Sequence, residues 1–411
     1  MPFDLLEQTV SALASTHVLS QRSPEKIFER INLALKELNL IKPDYPVVLI
    51  AGTNGKGSVA HGLSACLINS GKKVGLFTSP HLCFFNERIR INNVPVFDQD
   101  LLEILEEEKI KNICLKYELN YFQISFVLAL KSFEKNNLDI AILEIGLGGR
   151  FDPVNALEPC LSIITSISKD HMEILGNSLE EIAWQKLGIV RKNIPLIYAD
   201  RNPQEIIIKN TLASETKIYG RDFDYPSDWP EPKMARENAA AVIAALEYLV
   251  GADLVFARWI NVINLIPNIS APGRLVWLEK DDHKILIDVA HNEDSCRRLL
   301  GFIQEKLKQS CARPKIFGVF TAKPNKDLRA MVSVMSPVID HWYCVGLENN
   351  PVWLEFGDLN LHHCAALNQA YEEAKQNLAP GDWIICFGSF SVASYVLQKL
   401  GVFKHGDVVF V

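Results

Sequence analysis

The sequence lacks several features that mark common functional classes. None of its nine cysteines forms a C-x-x-C pair, which argues against a zinc site or a disulfide framework and favours reduced thiols. No apolar run reaches the roughly 18 residues that a membrane-spanning helix requires. The first residues, MPFDLLEQ, show no basic segment followed by an apolar one, so we expect no secretion signal and a cytoplasmic location.

An excess of positive charge is also missing. The chain has 49 acidic and 42 basic residues and a net charge of −7, so we expect no nucleic-acid partner. What the chain does have is 48% apolar residues over a length of 411, which is enough for more than one large core. These values predict a soluble globular protein with two domains.

A short apolar strand followed by a glycine-rich turn dominates the first half of the chain. Residues 47–50 (VVLI) lead into residues 52–58 (GTNGKGS), and a helix-compatible segment follows. Backbone N–H groups, a helix N-terminus and a lysine in this order favour a bound phosphate. The spacing departs from the general G-x-x-x-x-G-K-[ST] pattern, because Gly57 separates Lys56 from Ser58. The alternative is an ordinary tight strand-to-helix turn.

Polar residues follow the other buried strands that we predict in the first domain. Ser79, Glu144, Asp170 and His171 stand at or just after the ends of such strands. Open α/β sheets bind their ligands at the carboxyl ends of the strands, so we expect these residues at one edge of the sheet. The strands are predicted at residues 72–77, 138–145, 161–167 and 195–199, and the helices at 1–42, 101–116, 122–136 and 235–250.

A second α/β region begins after a cluster of proline, asparagine, serine and glycine at residues 266–273. We therefore predict an α/β protein with a P-loop-type parallel-sheet domain in residues 1–268 and a smaller C-terminal Rossmann-like domain in residues 269–411. In the second domain, strands are predicted at 285–289, 315–320, 342–345 and 383–387, and helices near 297–309, 327–335, 366–377 and 391–400.

The residues at the strand ends include candidate magnesium ligands. Magnesium prefers oxygen ligands and usually takes one or two protein groups together with phosphate oxygens and water. Ser58 occupies the position of a phosphate-loop hydroxyl, and Glu144 would be a costly buried charge unless it were paired or metal-bound. A salt bridge from Glu144 to Lys56 or Arg150 is the alternative. Imidazole is an unusual magnesium ligand, so chemistry alone favours His171 as a hydrogen-bonded side chain over a metal ligand.

Ten spaced motifs resemble those of the folylpolyglutamate synthase/dihydrofolate synthase family, a branch of the Mur-ligase superfamily. They occur in family order over nearly the whole chain: GTNGKGS at 52–58, TSPHL at 78–82, NERIRIN at 86–92, LEIGLGGRFD at 143–152, TSISKDHMEILG at 165–176, QKLGIVR at 185–191, ENAAA at 237–241, PGR at 272–274, DVAHN at 288–292 and FGSF at 387–390.

The resemblance implies a two-domain ligase that uses ATP. Its first domain would bind ATP and its second would be a glutamate-ligase domain. The enzyme would join L-glutamate to dihydropteroate, to the γ-carboxylate of a folate, or to both, through an acyl phosphate. The implied cofactors are ATP and two Mg²⁺ ions, and the implied partners are small molecules, with no nucleic acid and no membrane. The family resemblance also implies a monomer.

The resemblance also assigns roles to individual residues. Lys186 would be catalytic together with Lys56 and His291, with its amine carbamylated into an anionic metal ligand; the alternative is a surface lysine of an amphipathic helix. The implied ATP contacts are Thr53, Asn54, Gly55, Lys56, Gly57, Ser58, Asn238 at the adenine, Arg274 at the phosphates and Asp288 at the ribose. The implied metal ligands are Ser58 for one ion and Ser79, Glu144 and His171 for the other. The implied substrate contacts are Arg88, Tyr121, Phe122, Gln123 and Asp152.

The chain departs from the family pattern mainly at the folate end. The family segment TYFE is NYFQ at residues 120–123, and L-D-A-T-N is F-D-P-V-N at residues 151–155. These changes leave three alternatives to the folate reaction: a family relative with another acceptor, a Mur-type ligase acting on a cell-wall nucleotide precursor, and a non-catalytic nucleotide-binding module. Mur enzymes usually place a hydroxyl directly after the loop lysine, which GTNGKGS does not.

Overall fold

The computed structural model describes residues 5–15, 23–209, 213–251, 262–280, 283–310, 312–348, 350–357 and 359–402. These residues form two compact units that divide between Ala271 and Pro272. None of the helices within these ranges combines the length and the apolar character that a membrane-spanning helix requires. Part of the helical prediction for residues 1–42, namely 1–4 and 16–22, falls outside the described residues.

An eight-stranded sheet organises the first unit. Its strands lie in the order β4-β3-β2-β5-β1-β6-β7-β8, and all neighbours are parallel except the β2–β3 and β3–β4 pairs. The predicted parallel sheet is confirmed at its centre, while one edge is an antiparallel extension. The strands are β1 (Val47–Ala51), β2 (Val74–Phe77), β3 (Ile89–Ile91), β4 (Val94–Pro95), β5 (Ile140–Glu144), β6 (Leu161–Ile164), β7 (Leu196–Tyr198) and β8 (Thr216–Ile218).

Helices cover both faces of this sheet and create two apolar cores. Strand β1 feeds both cores, because successive side chains of a strand point to opposite faces. Val47, Leu49 and Ala51 face one core, and Val48 and Ile50 face the other. The helices are α1 (Leu5–Leu13), α2 (Pro24–Glu37), α3 (Lys56–Asn69), α4 (Asp98–Glu106), α5 (Glu108–Lys116), α6 (Tyr121–Asn136), α7 (Met172–Leu175), α8 (Leu179–Lys186), α9 (Glu205–Ile208) and α10 (Arg236–Val250).

The prediction of one continuous helix over residues 101–116 was wrong. The chain breaks at Glu107, whose ψ of 120° is not helical, and forms α4 and α5. The break allows both halves to bury their apolar side chains, since Leu105 ends one buried face and Ile110 begins the next. A five-residue spacing does not stay on one face of a straight helix, so the apolar pattern itself required the break.

The second unit contains a six-stranded sheet in the order β13-β12-β11-β14-β10-β9. Neighbours are parallel except β9 and β10, which pair antiparallel. Strands β9 and β13 were missed by the sequence prediction. The strands are β9 (Val276–Lys280), β10 (His283–Ile287), β11 (Ile316–Phe320), β12 (His341–Val345), β13 (Leu361–Cys364) and β14 (Trp383–Phe387); the helices are α11 (Glu293–Lys308), α12 (Leu328–Met335), α13 (Leu367–Gln376) and α14 (Phe390–Lys399).

Two helical glycines, one in each unit, have opposite surroundings and predict opposite effects. A Cβ atom at Gly62 of α3 would lie 2.9 Å from Val242 Cγ2 of α10, whereas a Cβ at Gly301 of α11 would meet nothing within 4 Å. We expect Gly62→Ala to lower the free energy of unfolding by about 1–3 kcal/mol through overpacking. Gly301→Ala should raise it by about 0.5–1 kcal/mol, because alanine restricts the unfolded chain.

Differential scanning calorimetry of the two variants beside the parent chain measures these shifts. A Gly62→Ala protein as stable as the parent would contradict the close packing of α3 on α10. A destabilised Gly301→Ala protein would contradict the open position on α11.

Candidate active site

The phosphate loop lies at the centre of the first sheet. It comprises residues 52–58 and follows β1, and within it Gly55 caps α3 with a φ of +89° in the left-handed region. Lys56 opens the helix, and its Nζ donates to the carbonyl oxygens of Gly52 and Thr53 at 3.1 Å each. The turn therefore has the order that the sequence predicted, with backbone N–H groups and a lysine at the N-terminus of a 14-residue helix.

The segment after β6 supports this loop from one side. The Thr53 N–H donates to Ser166 O at 2.7 Å, the Asn54 N–H donates to Ser166 Oγ at 3.2 Å, and Thr165 Oγ1 donates to Asn54 O at 2.6 Å. The approach is so close that a Cβ at Gly52 would lie 1.7 Å from Thr165 Oγ1. The contacts of Thr165 and Ser166 with the loop were not predicted, although two hydroxyl side chains at the end of a predicted strand were a signal for them in the sequence.

Asn238 lies directly against the phosphate loop. A Cβ at Gly55 would be 2.5 Å from Asn238 Oδ1, and the amide side chain is buried. Asn238 does not cap its helix, because α10 begins at Arg236 with Ala235 at the capping position. Asn238 is thus placed beside the loop from the first turn of α10, where its amide could contact a nucleotide.

Glu144 stands on the other side of the loop, at the end of β5. Its carboxylate is buried and accepts a hydrogen bond from the Ser79 N–H at 3.1 Å. A Cβ at Gly57 would lie 3.6 and 3.8 Å from the two carboxylate oxygens, so Glu144 faces the first turn of α3 and the backbone beside Ser58. The structure therefore brings two of the four predicted metal ligands, Ser79 and Glu144, into contact, and it places the Glu144 carboxylate beside Gly57, the residue before Ser58.

This donor set fits magnesium. Within the described ranges, no group of three or more His, Cys, Asp or Glu side chains could form a metal cage. Magnesium does not need such a cage, because it binds one or two protein oxygens and completes its shell with phosphate and water. A single buried carboxylate with serines alongside matches that preference, and it does not match the nitrogen and sulfur ligands of a structural zinc site.

His171 lies after β6, at the beginning of α7. Its backbone φ is +50°, and its N–H donates to Asp170 Oδ1 at 2.9 Å. The imidazole is partly exposed and has carboxylate oxygens nearby, with Nε2 4.0 Å from Asp170 Oδ1 and Nδ1 3.8 Å from Glu173 Oε1. The left-handed backbone is uncommon for a residue other than glycine.

Lys186 is buried, so its interpretation as a surface lysine is wrong. The side chain is 2% exposed at the end of α8. Burial, with the charge of Lys56 adding to it, holds the pKa of the Lys186 amine well below its usual range, while Asp170 opposes the shift. A buried amine of low pKa is neutral and nucleophilic, which is the form that carbamylation requires.

Asp152 organises the glycine-rich loop that follows Glu144. Its carboxylate is buried and accepts hydrogen bonds from the N–H groups of Leu147 at 2.9 Å and Val154 at 3.0 Å. Burial raises the pKa of this carboxyl to about 7 against the effect of those bonds and of the Lys56 charge. The predicted substrate contact at Asp152 thus coincides with a structural role in the loop.

Gln123 also has a structural role. It forms a capping box with Asn120 at the start of α6: the Gln123 N–H donates to Asn120 Oδ1 at 2.9 Å, and the Asn120 N–H donates to Gln123 Oε1 at 3.0 Å. Its Nε2 donates to Ile27 O of α2 at 3.0 Å. The N-x-x-Q pattern was the sequence signal for this cap, and it went unused.

Arg88 and Tyr121 come together in a group of polar side chains. The Arg88 guanidinium lies 5.3 Å from the centre of the Tyr121 ring, and its Nε donates to His81 Nδ1 at 2.9 Å. The Tyr121 hydroxyl donates to Glu7 Oε1 of α1 at 3.0 Å. Burial and the Arg88 charge lower the pKa of His81 to about 3, so the imidazole is neutral and can accept this bond.

Phe122 and Glu87 shape the neighbouring loops. Phe122 packs against the glycine-rich loop, since a Cβ at Gly146 would lie 2.6 Å from Phe122 Cζ. Glu87 accepts hydrogen bonds from the N–H groups of Leu82 at 2.9 Å and Cys83 at 2.7 Å, and so fixes the chain just after Ser79. This glutamate lies in the NERIRIN motif, and no role was predicted for it.

The second unit places its three predicted residues around the end of β10. Asp288 is buried and accepts hydrogen bonds from the N–H groups of Leu275 at 2.8 Å and Ala290 at 2.7 Å. Arg274 Nη1 lies 3.9 Å from Asp288 Oδ1. The Nδ1 atom of His291 is 2.9 Å from Val289 O. Burial raises the pKa of Asp288, and the nearby Arg274 opposes this shift.

Comparison with known proteins gives matches over both units. The Mur ligase middle domain family matches residues 50–243, and the Mur ligase glutamate ligase domain family matches residues 273–390. A dihydrofolate synthase/folylpolyglutamate synthase of Buchnera aphidicola is 31% identical over 389 residues, which covers 88% of each chain. The protein of the same name from Haemophilus influenzae is 30% identical over 358 residues, covering 78% of each chain.

Solved structures of the same kind have the same fold. The structure of Escherichia coli FolC with DHPP and ADP superposes with a TM-score of 0.83 at 26% identity and covers 97% of this chain and 98% of that one. A Yersinia pestis bifunctional enzyme with AMPPNP and a Mn ion also gives 0.83, at 27% identity, with the same shares covered. The predicted fold class and family are confirmed: the chain belongs to the dihydrofolate synthase/folylpolyglutamate synthase family of ATP-dependent Mur ligases.

Proposed function

We propose that this ligase joins L-glutamate to dihydropteroate, to the γ-carboxylate of a folate, or to both. One observation carries the proposal. The phosphate loop after β1 is flanked on one side by the Glu144 carboxylate and on the other by the segment that leads to His171. The buried Lys186 lies close enough to Lys56 for their charges to interact. This arrangement suits the transfer of a phosphoryl group to an acid.

The proposed reaction activates a carboxylate for attack by an amine. A carboxylate oxygen of the acceptor attacks the γ-phosphorus of ATP, the bond to the β-phosphate oxygen breaks, and an acyl phosphate and ADP result. The amine of L-glutamate then attacks the acyl carbon, phosphate leaves, and the amine proton is released. Phosphoryl transfer depends mainly on positioning and on neutralising negative charge. In the first unit, we assign this task to Lys56 and to the N–H groups of the first turn of α3.

Magnesium would be held by the residues that face the phosphate loop. We assign Ser58 to one ion and Ser79, Glu144 and His171 to a second ion. When bound, the ions neutralise phosphate oxygens and orient them. The protein contributes a buried carboxylate whose position is fixed by the Ser79 N–H.

Lys186 would carry a carbamate. Its neutral amine adds to the carbon of CO₂, a proton leaves the nitrogen, and an anionic group replaces a neutral one. Burial favours the neutral amine that reacts, and the nearby Lys56 charge favours the anion that forms. Two oxygens at this position would extend the oxygen-rich donor set of the site.

The remaining assignments concern the nucleotide. Asn238 lies at the loop, where its amide can contact adenine. In the second unit, the planar fork of Arg274 suits phosphate, and Asp288 suits the ribose hydroxyls. His291 is assigned near the phosphates. Each of these residues contributes polar atoms close to a strand or helix end of its own unit.

The acceptor is the least constrained substrate. Arg88 offers a nearly buried cation beside Tyr121, and Phe122 offers an aromatic ring at the glycine-rich loop. Gln123 and Asp152 are engaged in hydrogen bonds to the backbone, so we assign them to the shape of this region. The change from TYFE to NYFQ keeps the capping box, and therefore it is weak support for a different acceptor.

The acceptor can be identified by direct comparison. Purified protein with ATP, magnesium and L-glutamate should release phosphate and form a glutamylated product with dihydropteroate or tetrahydrofolate. A cell-wall nucleotide precursor should give neither. Mass spectrometry of the product and a phosphate assay measure the two quantities.

A matched pair of lysine variants controls this assay. Lys56→Ala should be inactive because it removes the loop cation, whereas Lys72→Ala, in an exposed position beyond the other end of α3, should retain activity. Turnover with the cell-wall precursor alone would assign the protein to the Mur-type alternative. If the protein bound ATP but turned over none of the acceptors, it would have to be interpreted as a non-catalytic nucleotide-binding module.

The metal assignment predicts a changed magnesium requirement in Glu144→Gln. The amide keeps the volume and still accepts the Ser79 N–H, but it removes the negative charge. We expect the magnesium concentration at half-maximal rate to rise by about tenfold or more. Magnesium titration of the reaction measures it, with Glu134→Gln, on the exposed side of α6, as the control. An unchanged titration would remove Glu144 from the metal site.

Substitutions of Gln123 separate its structural role from acceptor recognition. Gln123→Glu keeps the capping box but cannot donate to Ile27 O, so we expect a loss of about 1 kcal/mol in stability. Gln123→Ala loses both, and we expect about 2 kcal/mol. Denaturant unfolding measures stability, and relative rates with dihydropteroate and tetrahydrofolate measure preference. A changed preference in a fully stable Gln123→Glu protein would place this side chain at the acceptor.

A further inference from the structure

Two loops touch through their backbones beside Lys186. One is the glycine-rich loop after Glu144, and the other is the short turn Leu187–Ile189 that follows α8. A Cβ at Gly188 would lie 2.2 Å from Arg150 Cα, and the Arg150 N–H donates to Gln185 O at 2.8 Å. The position of Lys186 relative to the Glu144 loop is therefore set by how these two backbones are held together.

Asn155 holds the two loops together from the inside. Its side chain is 4% exposed, and its Nδ2 donates to Arg150 O and to Gly188 O, each at 3.1 Å. One amide group thus joins a carbonyl of the glycine-rich loop to a carbonyl of the Lys186 turn. Only a side chain with two donors on one atom can make both bonds at once.

Arg191 closes the same arrangement from the outside. Its Nη1 donates to Gly188 O at 3.0 Å, and its Nη2 donates to Asn155 O at 2.9 Å and Asn155 Oδ1 at 3.0 Å. Its Nε pairs with Glu158, whose side chain is 74% exposed. The planar guanidinium matches these acceptors, and a lysine ammonium on a flexible stem would not reproduce the pattern. We call Asn155 and Arg191 the loop clamp.

We propose that the loop clamp positions Lys186 for its function in the active site. All of its side-chain hydrogen bonds except the two from Arg191 Nε to Glu158 end on the two loops or within the clamp itself. Neither side chain is assigned to ATP, metal or acceptor, so the clamp acts through the loops. The inference rests on the proposed role of Lys186.

Variants of the clamp and one control test the proposal. Asn155→Asp removes both donors but can still pair with Arg191. Arg191→Lys keeps the charge and loses the fork. Glu158→Gln alters the exposed partner of Arg191 and leaves the clamp intact, so it should behave as the parent protein.

The first measurements report on the Leu187–Ile189 turn and on Lys186, and they do not require catalysis. Amide hydrogen exchange over residues 185–191 should be faster in both clamp variants than in Glu158→Gln. The carbamate signal that ¹³C-bicarbonate gives in the NMR spectrum of the full chain should be lower per mole of protein.

The second measurements use the reaction. The bicarbonate and magnesium concentrations at half-maximal rate should rise by about tenfold, because a misplaced group loses most of its contribution. The Kd for ATP should stay within about twofold of the parent value, because neither clamp residue touches the phosphate loop.

Several outcomes would overturn the proposal. Faster exchange with unchanged bicarbonate and magnesium requirements would make the clamp a device for stability only. An equal loss of ATP affinity would show a general disturbance of the fold. If the parent protein gave no carbamate signal and no bicarbonate dependence, the proposed carbamylation of Lys186 would be refuted. The magnesium requirement of the clamp variants would then test the clamp on its own, and an unchanged requirement would refute its positioning role.

Discussion

The site depends on the parallel pairing of β1 with both of its neighbours. The register aligns Ile50 with Glu144 on β5 and with Ile163 on β6, so the chain leaves all three strands at the same edge. The phosphate loop therefore emerges between a carboxylate on one side and the Thr165–Ser166 hydroxyls on the other. The neighbours approach the loop so closely that a Cβ at Gly52 would collide with Thr165, and a Cβ at Gly55 would collide with Asn238. Glycine is therefore required at both positions.

The same edge concentrates charged groups that would be costly in an ordinary core. Glu144, Asp152 and Lys186 are all buried, and burial raises the pKa of Asp152 while it lowers that of Lys186. Both shifts favour the neutral form of the group, so the protein carries less charge at this edge of the sheet than its sequence suggests. A substrate rich in negative charge changes this balance between neutral and charged forms, because its phosphate oxygens and the accompanying metal ions supply oppositely charged partners for these groups. Perturbed ionisable groups gathered at one edge are typical of a functional site.

Much of this could be predicted from the sequence, and the limits have physical causes. The central strands and the phosphate loop were predictable because unbroken apolar runs and a glycine-rich turn are local signals. The break at Glu107 had a signal in the apolar spacing that the prediction overlooked. Strands β3, β4, β8, β9 and β13 were missed because they lie toward the sheet edges, where pairing depends on the finished sheet rather than on a local apolar run. Lys186 illustrates the same limit at the site. Its sequence surroundings suit an exposed amphipathic helix, and only the tertiary packing of α8 buries it.

The departures from the family pattern show how a changed sequence can keep a local structure. At residues 120–123 the chain replaces a hydroxyl and an acid with two amides, which suggested an altered acceptor site. In the structure the two amides form the same type of reciprocal cap that a hydroxyl and an acid form, and the extra donor of Gln123 adds a bond to α2. At residues 151–155 three substitutions precede an asparagine that bonds both loops beside Lys186. In both segments, the atoms that fix the backbone are retained while their neighbours vary. Differences from a motif therefore carry information about substrate only where the side chain is not already committed to holding the loop in place.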